Sequence, residues 1–258
     1  MQLGLENAVA LVTGASGNIG VATCDALRRE GVRVIATDIA GRTGGTADEW
    51  RTLDVTRENE WRDLIAGIRA DHGRLDILVN NAGIAIMDRL EDMPLADWTR
   101  TQDINVAGIF LGLKTAVPLM RESGANRAGG ASMINVASGA ADKPAAFSAA
   151  YCASKAAVAM LTRAAAIEFA ALGYPVRVNS VHPGAVESEM IDGIIARYSA
   201  LTGGTPIADL HAAMLKGHPM GRLVLPDDVA DTIVFLASTA SRYTHGDALH
   251  IDGGHAAT

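Results

Sequence analysis

Short β-branched runs alternate with longer alanine-rich amphipathic stretches, and this alternation constrains the chain more than any other feature. Val9–Thr13 (VALVT), Val32–Thr37 (VRVIAT), Leu75–Val79 (LDILV), Ser132–Ala137 (SMINVA), Val176–Val181 (VRVNSV) and Ala248–Ile251 read as strands. Between them, Gly20–Glu30 places Val21, Cys24 and Leu27 at three-residue steps, which is a helical face. Glu60–Asp71, Asp97–Leu119, Tyr151–Leu172 and Pro226–Ser238 also read as helices, with Gly173 and Pro175 ending the one before them. Strands separated by helices of this length require parallel crossovers. The pattern therefore predicts an α/β fold: a single doubly wound domain with a central parallel sheet flanked by helices. The 258 residues suffice for one such domain, and neither a repeat nor a Pro/Ser-rich linker divides residues 1–258. Glu187–Arg222 fits the alternation poorly, mixing short helical pieces with Gly203, Gly204, Pro206 and Pro219. A connection that long is expected to carry function, here as a lid over about residues 187–222.

Charge and cysteine usage narrow the classes. With 22 basic and 29 acidic residues the formal net charge is −7, which argues against a surface built to neutralise nucleic-acid phosphates. Cys24 and Cys152 are the only cysteines, so no disulfide framework is expected and a reducing, cytoplasmic setting is. No uninterrupted uncharged apolar run reaches about 18 residues, so no membrane span is expected.

Thr13-Gly14-Ala15-Ser16-Gly17-Asn18-Ile19-Gly20 lies between the first strand and the first helix. Glycines there let the backbone turn sharply and approach a diphosphate, which the free N–H groups and positive dipole end of the helix would hold; a tight strand–helix bend needs glycines for its own sake as well. Asp38, 24 residues after Gly14, ends the second strand. A carboxylate there accepts both ribose hydroxyls of an adenosine and repels a 2′-phosphate, and no arginine occupies Ser16, Gly17, Thr37 or Ile39 to hold one. This spacing points to a Rossmann-type domain that takes NAD rather than NADP. Tyr151 and Lys155, four apart on a helix, share one face. A phenol is a poor base at neutral pH, but a nearby cation favours its anion, so the pair can accept an alcohol proton. Ser138, just past a strand, can orient the same substrate oxygen. In isolation such a pair is ordinary helix-surface chemistry; its weight comes from the other motifs.

Together these motifs, with Asp54, Asn80-Asn81-Ala82-Gly83, Asn105, Asn179 and Pro183-Gly184 in the same order, make the chain resemble the classical short-chain dehydrogenase/reductase family over essentially its whole length. The resemblance implies Tyr151 as catalytic acid/base and Ser138 as the group steadying the substrate oxygen. It gives Lys155 the nicotinamide ribose and the lowering of the tyrosine pKa, and Asn105 a water that links Lys155 to solvent. For the cofactor it implies Gly14, Ser16, Asn18, Ile19 and Gly20 at the diphosphate, Asp38 at the ribose, and Asp54 with Val55 at the adenine. Asn81, Ala82 and Gly83 would line the adenosine side. Pro183, Gly184, Val186 and Ser188 would meet the nicotinamide, alongside Tyr151 and Lys155. Asn18 stands where the family pattern has glycine; asparagine tolerates left-handed backbone, and its amide can cap or bond phosphate. Ser188 stands where threonine is commoner, and keeps the hydroxyl.

Ser138, Ala140, Phe147, Met190, Ile191 and Ile194 are expected to wall the substrate pocket. Mostly apolar walls suit a hydrophobic secondary alcohol or its ketone, a cyclic alcohol or hydroxysteroid, better than a sugar phosphate. The enzyme alternative is a 3-oxoacyl-[acyl-carrier-protein] reductase; the alternative of another class is a non-catalytic NAD-binding regulator, against which the intact Asn105, Ser138, Tyr151 and Lys155 set argues. The seven histidines show no metal-ligand spacing, so no metal is expected. His182, beside Pro183-Gly184, reads as a packed or hydrogen-bonded residue. Ser138 lacks the G-x-S-x-G elbow of a hydrolase. The family resemblance also implies a homotetramer, with a dimer as the smaller alternative, built on the helices at Asp97–Leu119 and Tyr151–Leu172.

Overall fold

The computed structural model describes residues 3–39 and 45–257. Seven parallel strands form one sheet in the order β3-β2-β1-β4-β5-β6-β7. They are β1 (Val9–Thr13), β2 (Arg33–Asp38), β3 (Glu49–Thr52), β4 (Ile77–Asn80), β5 (Ala131–Val136), β6 (Val176–Pro183) and β7 (Ala248–Ile251). Side chains of a strand alternate between faces, and both faces here are buried. Ala10 and Val12 of β1 join the core under α1 (Asn18–Arg29) and α8 (Pro226–Ala237). Val9 and Leu11 join the core under α2 (Glu58–His72), α4 (Gly108–Ala125) and α5 (Ala149–Ala171). A continuous apolar run such as VALVT is what burial on both faces demands.

Three differences from the sequence reading have physical causes. The edge strand β3, Glu-Trp-Arg-Thr, was not predicted: it is half-exposed, carries two charges and lacks a β-branched run, so its pairing with β2 is what makes it a strand. The predicted lid resolves into two real helices, α6 (Glu189–Leu201) and α7 (Ile207–Lys216). The helix read at Asp97–Leu119 runs as α3 (Leu95–Gln102) and α4, joined without a break by a wider π-helical turn at Asp103–Ala107. Leu95–Ala125 is long and apolar enough to cross a bilayer by length and composition, but half of its most apolar stretch is buried inside this fold. It is a core helix.

Trp61 anchors the second core. Its side chain is fully buried and its indole N–H donates to the Val55 carbonyl at 3.0 Å. Gly112 lets α4 pass close by, since a Cβ there would lie 2.5 Å from Asn80 Oδ1 and 2.9 Å from the Trp61 ring. Trp61→Ala is expected to cost about 3–5 kcal/mol of unfolding free energy in urea titration. Tyr243→Ala, at a fully exposed ring, is expected to stay within about 0.5 kcal/mol of the unchanged protein.

Candidate active site

The site forms where β1 and β4 carry their chains to opposite sides, at the carboxyl ends of the strands. Gly14 adopts φ +60°, and a Cβ on it would lie 2.7 Å from Ala82 Cα; one on Gly20 would lie 2.3 Å from the Gly14 carbonyl oxygen. Only glycine lets the β1–α1 turn close this tightly. Asn18 is the first residue of α1, and φ is positive only at Asn7 and Phe147 among the described non-glycine residues. The left-handed tolerance invoked for Asn18 is therefore not called upon: the turn's positive φ falls on Gly14. Gly17 caps α1 without any side-chain hydrogen bond, Ile19 continues the first turn, and Ser16 Oγ is buried with no hydrogen-bond partner. Asp38 Oδ2 accepts from the Ser16 N–H (3.1 Å) and Oδ1 from the Ile39 N–H (2.7 Å). An uncapped helix start, an orphaned hydroxyl and a glycine cradle beside a fixed carboxylate together fit a dinucleotide diphosphate and ribose.

Other sequence-predicted positions take more specific places. Asn81 spends its amide on the carbonyls of Thr13 (3.0 Å) and Gly14 (2.8 Å), and Ala82 N–H donates to Thr13 Oγ1; both therefore hold the glycine turn in shape. Gly83 lies beside Asn105 and Lys155. A Cβ there would lie 3.3 Å from Asn105 Oδ1 and 3.5 Å from Lys155 Nζ, so it borders the tyrosine–lysine centre rather than the Asp38 end. Asp54 accepts from the Thr56 hydroxyl and N–H, with Arg57 close by, and the Thr56 hydroxyl chiefly holds its carboxyl below the usual range. Val55 is buried, with its carbonyl taken by Trp61. Ser188 caps α6, accepting from the Ile191 N–H and donating to the Val186 carbonyl, a role the sequence reading did not assign. Gly184 has no room for a Cβ against His218 and Asp252 at the end of β6, where Pro183 closes the strand.

The π-helical turn puts Asn105, fully buried, at its middle. Its Nδ2 donates to the Ile84 carbonyl and to Ser154 Oγ, each at 2.9 Å, and its Oδ1 accepts from the Ile84 N–H. On α5, Lys155 Nζ donates to the Val136 carbonyl at 2.8 Å and lies 5.6 Å from the Tyr151 ring centroid. Burial brings the Lys155 ammonium down from 10.5 to about 8. The same burial pushes the Tyr151 phenol up; the hydrogen bond with Ser138 opposes it, and the Cys152 thiol adds to it.

On the substrate side Ala140 follows Ser138 on a short 3-10 turn. Phe147 takes φ +63° and sets its ring 5.3 Å from that of Tyr198 on α6. Ile191 and Ile194 are half-buried and Met190 exposed. A cleft of about 430 Å³ lies elsewhere, lined by Arg127, Tyr174, Arg177 and Tyr243 among others. The Arg177 guanidinium there is spent on the Gly129, Ser238 and Ser241 carbonyls, so that cleft is a structural seam. His182 is fully buried, Nδ1 3.0 Å from Asp142 Oδ2 and Nε2 3.0 Å from Ser180 Oγ, as a hydrogen-bonded reading of it requires. Ser180 is itself buried, beyond the reach of a hydrolase substrate. The fold also brings His250 to Asp142, a cluster of three groups that no spacing in the sequence announces.

A family model described as enoyl-(acyl carrier protein) reductase matches residues 14–256. The chain is 37% identical over 259 residues to cis-4-hydroxycyclohexanecarboxylate dehydrogenase of Sinomonas cyclohexanicum, with 96% of each covered. It is 36% identical over 267 residues to cyclopentanol dehydrogenase of Comamonas sp. (strain NCIMB 9872), with 98% of each covered. The crystal structure of 3-ketoacyl-(acyl-carrier-protein) reductase from Brucella melitensis, complexed with NADH, superposes with a TM-score of 0.84 at 30% identity, covering 98% of this chain and 99% of that one. The chain belongs to the short-chain dehydrogenase/reductase family. It is an oxidoreductase of that family.

Holding Lys155 as a cation in the fold has a cost with a definite sign. Its folded pKa of about 8 lies below 10.5, so the cost is full below pH 8 and fades as pH rises toward 10.5. The shift is worth roughly 3 kcal/mol, from which the lost hydrogen bond to Val136 subtracts about 1 kcal/mol. Lys155→Met is therefore expected to unfold at pH 7 with a free energy equal to or above that of the unchanged protein, and the gain is expected to shrink by pH 10. A loss of stability at pH 7 in urea titration contradicts this.

Proposed function

We propose that this oxidoreductase interconverts a hydrophobic secondary alcohol, cyclic or hydroxysteroid-like, and its ketone, with NAD as cofactor. One observation carries the proposal: buried Lys155 holds its ammonium 5.6 Å from the Tyr151 ring centroid on one helix face, beside a glycine cradle closed by Asp38. Gly14, Ser16, Asn18, Ile19 and Gly20 would hold the diphosphate, Asp38 the adenosine ribose, and Asp54 with Val55 the adenine. Lys155 would hold the nicotinamide ribose, and Pro183, Gly184, Val186 and Ser188 the nicotinamide. When bound, the nicotinamide supplies the acceptor or donor of a hydride.

The chain's own residues manage the proton. In oxidation Tyr151 takes the hydroxyl proton through its phenolate oxygen, while the Ser138 hydroxyl steadies the substrate oxygen as it becomes a carbonyl. In reduction Tyr151 returns the proton to that oxygen. Lys155, largely charged at neutral pH with its pKa of about 8, favours the phenolate. Asn105 is assigned the water that links Lys155 to solvent; its Oδ1 keeps one lone pair for that purpose.

The α6–α7 segment, about residues 187–222, acts in this reading as a lid on a single NAD-binding domain. Ala140, Phe147, Met190, Ile191 and Ile194 give the pocket its apolar wall. The cyclic alcohols named for the two relatives agree with such a wall. Phe110 of α4 with Met160 and Ile167 of α5 are exposed apolar residues on the helices that would pack between subunits of a homotetramer. Cys24 and Cys152 are both unpaired, which supports a cytoplasmic location.

Absorbance at 340 nm with NAD or NADP and a panel of cyclohexanols, cyclopentanol, hydroxysteroids, polyols and a 3-oxoacyl thioester tests this. Expected is NAD-linked turnover of a cyclic alcohol or ketone, lowered about 10³-fold or more in Tyr151→Phe with NADH binding retained. Asp38→Ala is expected to erode the preference for NAD over NADP by about tenfold or more, as it removes a ribose acceptor and a charge that repels phosphate. Best turnover of the thioester would make the acyl-carrier-protein reductase the correct reading. Best turnover of a polyol would overturn the apolar pocket, and NADH binding without turnover of any substrate would favour the non-catalytic regulator.

A further inference from the structure

The parallel register of β6 and β7 sets His182 directly beside His250, with ring centroids 4.9 Å apart. Asp142, at the end of the short turn that follows Ser138, reaches both: its Oδ2 lies 3.0 Å from His182 Nδ1 and 3.0 Å from His250 Nε2. All three candidate ligand atoms lie within 4.8 Å of one another. We propose that Asp142, His182 and His250 form a binding site for a divalent transition-metal ion of the zinc class.

Two imidazole nitrogens and one carboxylate oxygen are the donor set that zinc, cobalt and nickel share, and that magnesium and calcium do not favour. Metal–ligand bonds of about 2.0–2.2 Å put tetrahedral ligand atoms roughly 3.3 Å apart, close to the two separations around Asp142 Oδ2. The exposed His250 ring supplies the remaining adjustment. His182 is fully buried and fixed, whereas the side chains of Asp142 and His250 are 43% and 37% exposed, which leaves the other coordination positions to water.

Ser180 supplies the outer partner such a ligand needs. Its Oγ lies 3.0 Å from His182 Nε2 and 3.3 Å from the Asp247 carbonyl. With the hydroxyl donating to Asp247, Nε2–H donates to Ser180 Oγ, and the Nδ1 lone pair faces the Asp142 carboxylate. Two lone pairs at that separation call for a cation between them. With the hydroxyl turned to Nε2, Nδ1–H donates to Asp142 instead. Metal binding thus selects the Nε2–H tautomer: the imidazole proton leaves Nδ1, a proton is taken up at Nε2, and the ion takes the Nδ1 pair. The ion then ties the turn that Ser138 caps to the ends of β6 and β7.

Titration of chelator-treated, dialysed full-length protein with ZnCl2 by calorimetry, with Co²⁺ absorption as a second probe, tests the site. Expected are one Zn²⁺ per chain and a Zn²⁺-dependent rise in melting temperature. His250→Gln keeps a donor for Asp142 but removes a ligand, so its metal-free melting temperature and its alcohol turnover are expected to hold. Its Zn²⁺ affinity is expected to fall by more than the roughly 10–100-fold that outer partners are worth. Asp142→Asn is expected to weaken binding likewise. Absence of one-per-chain binding below about 1 mM in the unchanged protein, or binding unaltered in both variants, would overturn the proposal and leave the cluster as a carboxylate hydrogen-bonded to two imidazoles.

Discussion

A run of buried amides and hydroxyls across the carboxyl ends of the strands is what the rest of this structure depends on. Asn80 of β4 donates to Asn135 Oδ1 of β5, and Asn135 donates to Thr162 Oγ1 of α5, each at 2.8 Å. Asn105 reaches Ser154 on the same helix, and Lys155 reaches the Val136 carbonyl. Each bond would cost a few kcal/mol to leave unmade in a dry interior, so α5 has essentially one seating against β4, β5 and the π-helical turn. That seating carries Tyr151 to Ser138. Tyr151 is placed by buried polar groups on α5, the neighbouring strands and the π-helical turn.

The cofactor end is governed by close approach instead. Gly14 and Gly20 bring the β1–α1 turn against Ala82, and Asn81 and Ala82 bond back to Thr13 and Gly14. The two ends meet at Ala82-Gly83, where the chain leaves β4 and passes from the glycine turn to the Asn105–Lys155 neighbourhood. A single short segment therefore fixes the distance between the glycine turn and the Tyr151–Lys155 pair. This is the geometric reason for the resemblance's run of small residues after Asn80.

The inner strands were legible because burial on both faces leaves an unmistakable apolar, β-branched run. The candidate site was read from a family order of motifs, and the comparisons bear out the family. What stayed hidden had no local signal. The edge strand Glu49–Thr52 exists through its pairing with β2. The π-helical turn shows in the sequence only as Asn105, a poor helix former, inside a helical pattern. Gly83 lies against Asn105 and Lys155, a neighbourhood that linear order does not announce. Ser188 was read for its hydroxyl, which the first turn of α6 claims as a cap. Asp142, His182 and His250 come from a turn and two strands, and only the β6–β7 register makes them neighbours.

Helix α6 and the loop that carries Phe147 are held by the same short segment. Phe147 holds a left-handed backbone that an aromatic residue adopts at a cost of about 1–3 kcal/mol. Its carbonyl accepts from the Asp88 N–H at 3.0 Å, and its ring meets Tyr198 of α6 edge-on. Asp88 in turn pairs with Arg197 of α6 at 3.0 Å, and Arg197 Nε donates to the Met87 carbonyl at 3.2 Å. Residues 87–88 thus clasp both the Phe147 loop and α6. Lifting α6 breaks the ion pair and the ring contact together and removes what offsets the strain at Phe147. Displacement of α6 and relaxation of the backbone at Phe147 are therefore coupled through residues 87–88.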